Sequence, residues 1–305
     1  MFQNLKAFPL AVAVSLVLAA VPAAADRDEW NEPPRAPGHD RNGLLRINVD
    51  FFNMAASTGG DFYFWAPGEF SESAGILNVP IASEPIALAY GNGKGDFVQL
   101  LEVPVDISVS RVSLFAGAQR LDDVRLLRPD GRSIKENPAG TSSQAFKYMR
   151  IVMVDDPEPG VWRAEIRGAG NYALSARYRT DRARLTARDL EAIDLIGFAF
   201  VEVGGRPGHR GLFPITGPVR PGERRRCRLS LSGGVVEPTI ELVSPRGEVL
   251  DEIHPEGSFA EASDDEFIGV FRVPDRPFRV RVRGRDREGN LFQRLTAGLT
   301  TPAQE

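Results

Sequence analysis

The sequence predicts an all-β protein built from two similar β-sandwiches in tandem, and three observations carry that expectation. Apolar and polar residues alternate over many short runs, the period of strands with one face in a core. Helix-period stretches are few, while 30 glycines and 23 prolines punctuate the chain between the runs. One pattern also recurs: VRLLRPDGRSI (124–134) and IELVSPRGEVL (240–250) share the order apolar–charged–Leu–apolar–x–Pro–x–Gly. The offset from Gly131 to Gly247 also carries Trp162 to Phe278, Arg163 to Arg279, Ile166 to Val282, Arg167 to Arg283 and Gly168 to Gly284. Duplication and convergence would both produce it.

The elements follow in order. Met1–Lys6 carries one positive charge, Ala7–Val21 is apolar, and Ala23-Ala24-Ala25 precedes Asp26. That is the pattern of a secretory signal peptide over 1–25, since the apolar run is short for a bilayer and Pro9 and Pro22 lie near its two ends. The mature chain is expected to start at Asp26, to be periplasmic or secreted, and to carry no transmembrane segment. Residues 26–43 are polar and proline-bearing, as in a disordered linker. Phe51–Ser57 reads as a short helix stopped by Gly59-Gly60, with Asp61–Trp65 as a strand.

Regular alternation begins at Phe97–Val103 and continues through Val112–Ala116, Val124–Leu127 and Tyr148–Val154. Glu158-Pro159-Gly160-Val161 is a turn signal, with proline setting φ and glycine supplying a positive φ. Trp162, Ala164 and Ile166 then alternate with charged residues. Gly168–Asn171 reads as a second turn and Tyr172–Tyr178 as a second strand, so 160–178 is expected to be a hairpin with Trp162 in the core. A short helical connector over 180–194 leads to a second set of strands ending with Phe278–Arg283 and Leu291–Leu295.

Taken together, VRLLRPDGR, DDPEPGVWRAEIRGAGNYALSARY, FAFVEVGGRPGHRGLFPITG and PFRVRVRGRDREGNLFQRL resemble the region that follows the von Willebrand A domain in hemicentins and in von Willebrand A domain-containing protein 7. The resemblance spans roughly 97–297 and implies a galactose-binding-like sandwich followed by an immunoglobulin-like one. AASTGGDFYFW resembles the last helix, Gly-Gly turn and final strand of an A domain, so the resemblance implies a truncated relative without the metal-dependent adhesion site. The expected organisation is a remnant of that domain at 44–75, a first sandwich at 76–180, a connector at 181–194 and a second sandwich at 195–300.

The composition excludes some functions. A net charge of −4 gives no basic excess for nucleic acid. Cys227, the only cysteine, can form no intrachain disulfide, and alternation places it inward with Leu229 and Leu231 as an inert thiol. His39, His209 and His254 lack ligand spacing, and no G-x-S-x-G elbow occurs. Asp106-Ile-Ser-Val-Ser110 matches the A-domain metal signature D-x-S-x-S, but it is expected inside a strand and reads as coincidence. Asp264, Asp265 and Glu266 are weak Ca²⁺ candidates, as are Asp155, Asp156 and Glu158; no other cofactor is expected.

Two features point to a partner. GGRPGHRGLFPI (204–215) is a glycine-rich loop carrying Arg206, His209 and Arg210, with Phe213 expected to plug the core. Arg224–Arg226 and the alternating Arg279, Arg281, Arg283 and Arg285 predict a basic face on the second sandwich. The expected function is a non-catalytic exported adhesion, scaffold or protein-interaction module. The alternative is a carbohydrate-binding module, which two of Tyr148, Tyr172 and Tyr178 exposed side by side would favour. The partner is therefore expected to be a protein or glycan of the envelope or extracellular surface.

Overall fold

Asn48 starts the first element: its side-chain oxygen accepts from the backbone N–H groups of Asp50 and Phe51 at 3.0 and 3.2 Å, satisfying two donors that a helix start leaves free. The helix α1 (Val49–Thr58) ends at Gly59, whose φ of 71° is left-handed. A Cβ there would lie 1.9 Å from the Ala297 oxygen, so glycine is required twice over. The computed structural model describes residues 44–66, 69, 83–91, 93, 95–134, 140–187, 191–206, 208–215, 217–253 and 266–303. The expected signal peptide and linker lie outside the described residues.

The helix and its stop are where the sequence placed them, but Asp61–Trp65 is not a strand. It joins none of the described sheets. Its side chains alternate all the same: Phe62 and Phe64 meet Phe52 edge-on at 5.2 and 6.3 Å, while Tyr63 stacks on Trp65 at 5.0 Å. Both faces are covered, which reproduces the period of a strand without its ladder.

One six-stranded sheet follows, made of β1 (Glu84–Gly91), β2 (Asp96–Val105), β3 (Arg111–Leu127), β4 (Thr141–Ala145), β5 (Met149–Asp155) and β6 (Gly160–Arg179). Its order is β1-β6-β3-β5-β4, with β2 also on β6. The expected 160–178 hairpin does not form: β6 is a single strand of 20 residues. Gly168–Asn171 bends it instead of reversing it. The cause is β3, which stays paired along both halves of β6, with register shifts at Ala118/Arg120 and Leu121/Asp123. A Cβ on Gly168 would lie 2.1 Å from the Arg120 oxygen, so glycine permits this close approach. The first half of β6 then pairs with β2 and the second half with β1. Residues of both halves share one core, in which Val103, Leu114, Trp162, Ile166 and Leu174 meet. Gly160 has the positive φ expected of its turn, 139°.

After a short helix α2 (Arg182–Ala187), two four-stranded sheets are built from β7 (Leu195–Arg206), β8 (His209–Pro214), β9 (Arg224–Leu231), β10 (Val236–Val243), β11 (Val249–Ile253), β12 (Glu266–Arg272), β13 (Arg279–Arg285) and β14 (Leu291–Leu295). Their orders are β11-β10-β13-β14 and β12-β9-β7-β8. Leu229, Ile240, Leu242, Phe278, Val280 and Phe292 fill the core between them. The chain is therefore mostly β, as the alternation predicted, and its described strands form three sheets.

The sequence repeat is a repeat of register. Val124 pairs with Ile166 as Ile240 pairs with Val282, and Leu126 pairs with Ala164 as Leu242 pairs with Val280. The two Pro-x-Gly turns close with the same hydrogen bonds, Arg128 N–H to Arg132 O and Ser244 N–H to Glu248 O. The copies diverge after the equivalent glycines. Gly284 leads into a true hairpin because Asp286 accepts from the N–H groups of Glu288 and Asn290, and Gly289 takes φ 86°. Gly168-Ala-Gly-Asn has no such acceptor, and β6 continues.

Candidate functional site

Of the arginines expected to form a basic face on β13, only Arg285 is exposed; Arg281 and Arg283 are half-buried and Arg279 is buried. Arg279 is 1% exposed: its Nε donates to Ala297 O at 2.9 Å, Nη2 donates to Ala56 O, and the guanidinium lies 5.5 Å from the Tyr90 ring. Burial lowers its affinity for its proton. Arg281 is ion-paired with its register partner Glu241, and Arg283 lies between Glu102 at 3.6 Å and Glu241 at 3.8 Å. Alternation set their common face correctly; what the sequence could not show is that α1 and β2 cover it.

The D-x-S-x-S motif is a turn between β2 and β3, not part of a strand. Asp106 Oδ1 accepts from Ser108 N and Oγ at 3.0 and 2.5 Å. Oδ2 lies 2.8 Å from Arg294 Nη2, a charge contact rather than an aligned hydrogen bond, and both side chains are buried. Arg294 also donates to Ile193 O at 2.6 Å and lies 4.0 Å from the Tyr178 ring. Burial works against its charge, and Asp106, Tyr178 and Asp194 together outweigh it, so its proton is held more tightly than usual. The motif's oxygens thus face a guanidinium that joins the six-stranded sheet to β14.

Tyr148, Tyr172 and Tyr178 are all buried, so the exposed tyrosine pair that would favour sugar stacking does not form. Tyr172 lies against Phe97 and donates to Gln99 Oε1 at 2.7 Å. Tyr178 donates to Asp194 Oδ1 at 3.2 Å, and burial pushes its phenol far above the usual range.

The 204–215 stretch is the β7–β8 hairpin, with Arg206 opposite His209 and Gly205 opposite Arg210. Arg206 is exposed; the side chains of His209 and Arg210 lie outside the described residues. Phe213 does not plug the core. It is 47% exposed and leans over Gly204, where a Cβ would be 3.2 Å from its ring. The reason is topological: β9 accompanies β7 only as far as Val201, so the hairpin runs past the sheet that would have covered it.

Of the Ca²⁺ candidates, Asp264 and Asp265 lie outside the described residues, and Glu266 opens β12 at 3.9 Å from Arg228. Asp155 pairs with Arg111 at 2.5 Å and Asp156 with Arg184. Among the described residues no three His, Cys, Asp or Glu converge on a metal position, and no helix is long and apolar enough to cross a membrane. Cys227 is buried and its thiol is pushed up to about 12, so the folded protein is expected to resist a thiol reagent at pH 8 that labels it fully in denaturant. Rapid labelling of the native protein would show that the strand opens.

Two grooves, of about 400 and 320 Å³, flank the 244–248 turn, and Arg246 and Glu248 stand on both. Their rims carry charges of both signs. The outer face of the sheet β12-β9-β7-β8 differs. Cys227 and Leu229 of β9 point into the core, so Arg224, Arg226 and Arg228 point outward. Register sets Arg272 of β12 directly opposite Arg224. Both are exposed, and among the described residues neither makes an ion pair. Like charges directly opposite each other destabilise a sheet. Val201 and Val270 flank Arg226, and Ala199 and Ile268 flank Arg228. Val201 and Ile268 are buried although they belong to no core cluster, and arginine stems laid across a sheet cover such neighbours. The Arg-Arg-Arg run in the sequence signalled part of this face; Arg272 joins it only through β-pairing.

No protein-family profile and no curated protein matches the chain. Among solved structures, it is similar to the propeptide form of the lipase BlEst2 of Bacillus licheniformis, with a TM-score of 0.26 and 10% identity over 76% of this chain. The match spans 51% of that lipase chain. A likeness this slight carries no argument about fold or function.

Proposed function

We propose that this protein is an exported, non-catalytic interaction module, with an adhesion or scaffold role, that binds an acidic partner on the outer face of β12-β9-β7-β8. The facing pair Arg224 and Arg272 is the observation that carries the reading. Two exposed cations held opposite each other repel in the free protein, and an anionic group placed between them converts that cost into attraction. The apolar run and small-residue site at 7–25 support export. The order of motifs resembling the hemicentin accessory region supports an adhesive role, with galactose-binding-like and immunoglobulin-like units. The carbohydrate-binding alternative is weakened by the burial of all three tyrosines.

The test is affinity capture on the immobilised mature chain from solubilised envelope extract, beside the double variant Arg224→Glu/Arg272→Glu. Retention by the wild type, release by salt but not by free sugars, and loss with the variant are expected. Release by one particular sugar would replace this reading with the carbohydrate-binding one. Equal retention by both proteins would remove the arginine face from the function.

A further inference from the structure

We infer that the groove between α1 and the 244–248 turn binds a small organic monoanion, a carboxylate carried on an apolar body. The observation behind it is a buried charge that meets no acid. Arg279 is 1% exposed, and its Nε and Nη2 donate only to the backbone oxygens of Ala297 and Ala56. Its Nη1 is buried without a hydrogen-bond partner among the described residues. The other cation that bears on it, Arg177, is already paired with Asp61 at 3.0 Å and adds only repulsion. A guanidinium held out of water without a counter-charge is costly. A buried polar atom left without a partner is also rare enough in a folded chain to point to a group from outside.

The groove of about 400 Å³ shares a wall with that guanidinium. Ala56, which accepts from Arg279, and Tyr90, whose ring lies 5.5 Å from it, both line the groove. Its volume is in the range that takes a small molecule. The rim charges balance: Arg246 and Glu248 both stand on it, and Arg276 is paired with its neighbour Asp275 at 3.2 Å. Arg279 therefore leaves one positive charge over. A single negative charge in the groove answers it across a thin, water-poor wall, where attraction is stronger than in bulk water. A polyanion would set its further charges against Glu248 and Asp275. Phe52, Pro245 and Leu299 line the same groove, so an apolar body attached to the carboxylate leaves water on binding.

The test titrates the full mature chain, by calorimetry, with hexanoate, with hexanamide as its uncharged counterpart, and with succinate as a dianion. Three variants are run beside it. Arg279→Gln removes the buried charge, Asn53→Trp fills the groove from an exposed lining position, and Arg224→Glu/Arg272→Glu reverses the separate arginine face. Matching urea midpoints show which variants are folded; if Arg279→Gln is not, hexanoate against hexanamide decides the role of charge alone. Hexanoate is expected to bind about tenfold or more tightly than either other probe. That margin is expected to vanish in Arg279→Gln, all binding to vanish in Asn53→Trp, and nothing to change in the arginine-face variant. Equal binding of hexanoate and hexanamide, or tighter binding of succinate, would overturn the monoanion assignment. Failure of hexanoate to bind, binding that survives Asn53→Trp, or binding lost with the arginine face would overturn the groove as the site.

Discussion

Replacing Arg294 by alanine is expected to destabilise the protein by about 3–5 kcal/mol, the usual cost of removing one member of a buried ion pair. Asp106 is fully buried, and its Oδ2 has no other cation within contact among the described residues. Three backbone and side-chain acceptors, Ile193 O, Gln293 O and Ser108 Oγ, each lose one donor in the same step. Chemical unfolding measures the loss. Asp106→Ala/Arg294→Ala is expected to cost clearly less than the sum of the single variants, because the second substitution removes the charge that the first strands. Additive single effects would mean that the two groups do not hold each other. The contact is also the place where the six-stranded sheet, the connector at Ile193 and the strand β14 meet, so its loss is expected to loosen all three together.

Trp162→Ala is expected to cost a further independent amount of about 3–5 kcal/mol. The indole is 2% exposed within the core between the two halves of the bent sheet, and its Nε1 donates to Glu158 O at 2.9 Å. Trp162→Phe keeps most of the apolar contact but drops that hydrogen bond, so about 1 kcal/mol is expected. Phe213→Ser supplies the contrast, at about 0.5 kcal/mol or less, because the ring is half exposed and touches a glycine at the hairpin end. Urea midpoints for the three variants check the order. A Phe213→Ser loss as large as that of Trp162→Ala would show that the hairpin folds back onto the core.

Trp162 and Phe213 look alike in the sequence, since each is an aromatic ring beside a glycine-bearing turn or hairpin. The difference between them is whether a second layer extends over the residue, and that is a long-range property. The arginines of β13 make the same point. Alternation placed Arg279, Arg281 and Arg283 on one face, as found, but the helix α1, more than 200 residues earlier in the chain, supplies the Ala56 carbonyl that accepts from Arg279. Nothing near Arg279 in the sequence announces that contact. The basic face that does form needed Arg272 to be carried across from another strand to meet Arg224.

The sequence by itself determined the β class, most of the strands, the α1 helix with its glycine stop, and the repeated Pro-x-Gly turn. These are local properties: a side-chain period of two, a capping oxygen, and glycines able to take positive φ. Only the tertiary structure decided that Gly168–Asn171 bends rather than reverses, that the D-x-S-x-S oxygens meet Arg294, and that the outer arginines are those of β9 and β12. Each of these depends on which distant backbone or side chain occupies the space alongside. A strand carries on through a possible turn when its neighbour stays paired on both sides of it, and a charged residue is buried or exposed according to what the rest of the chain lays over it.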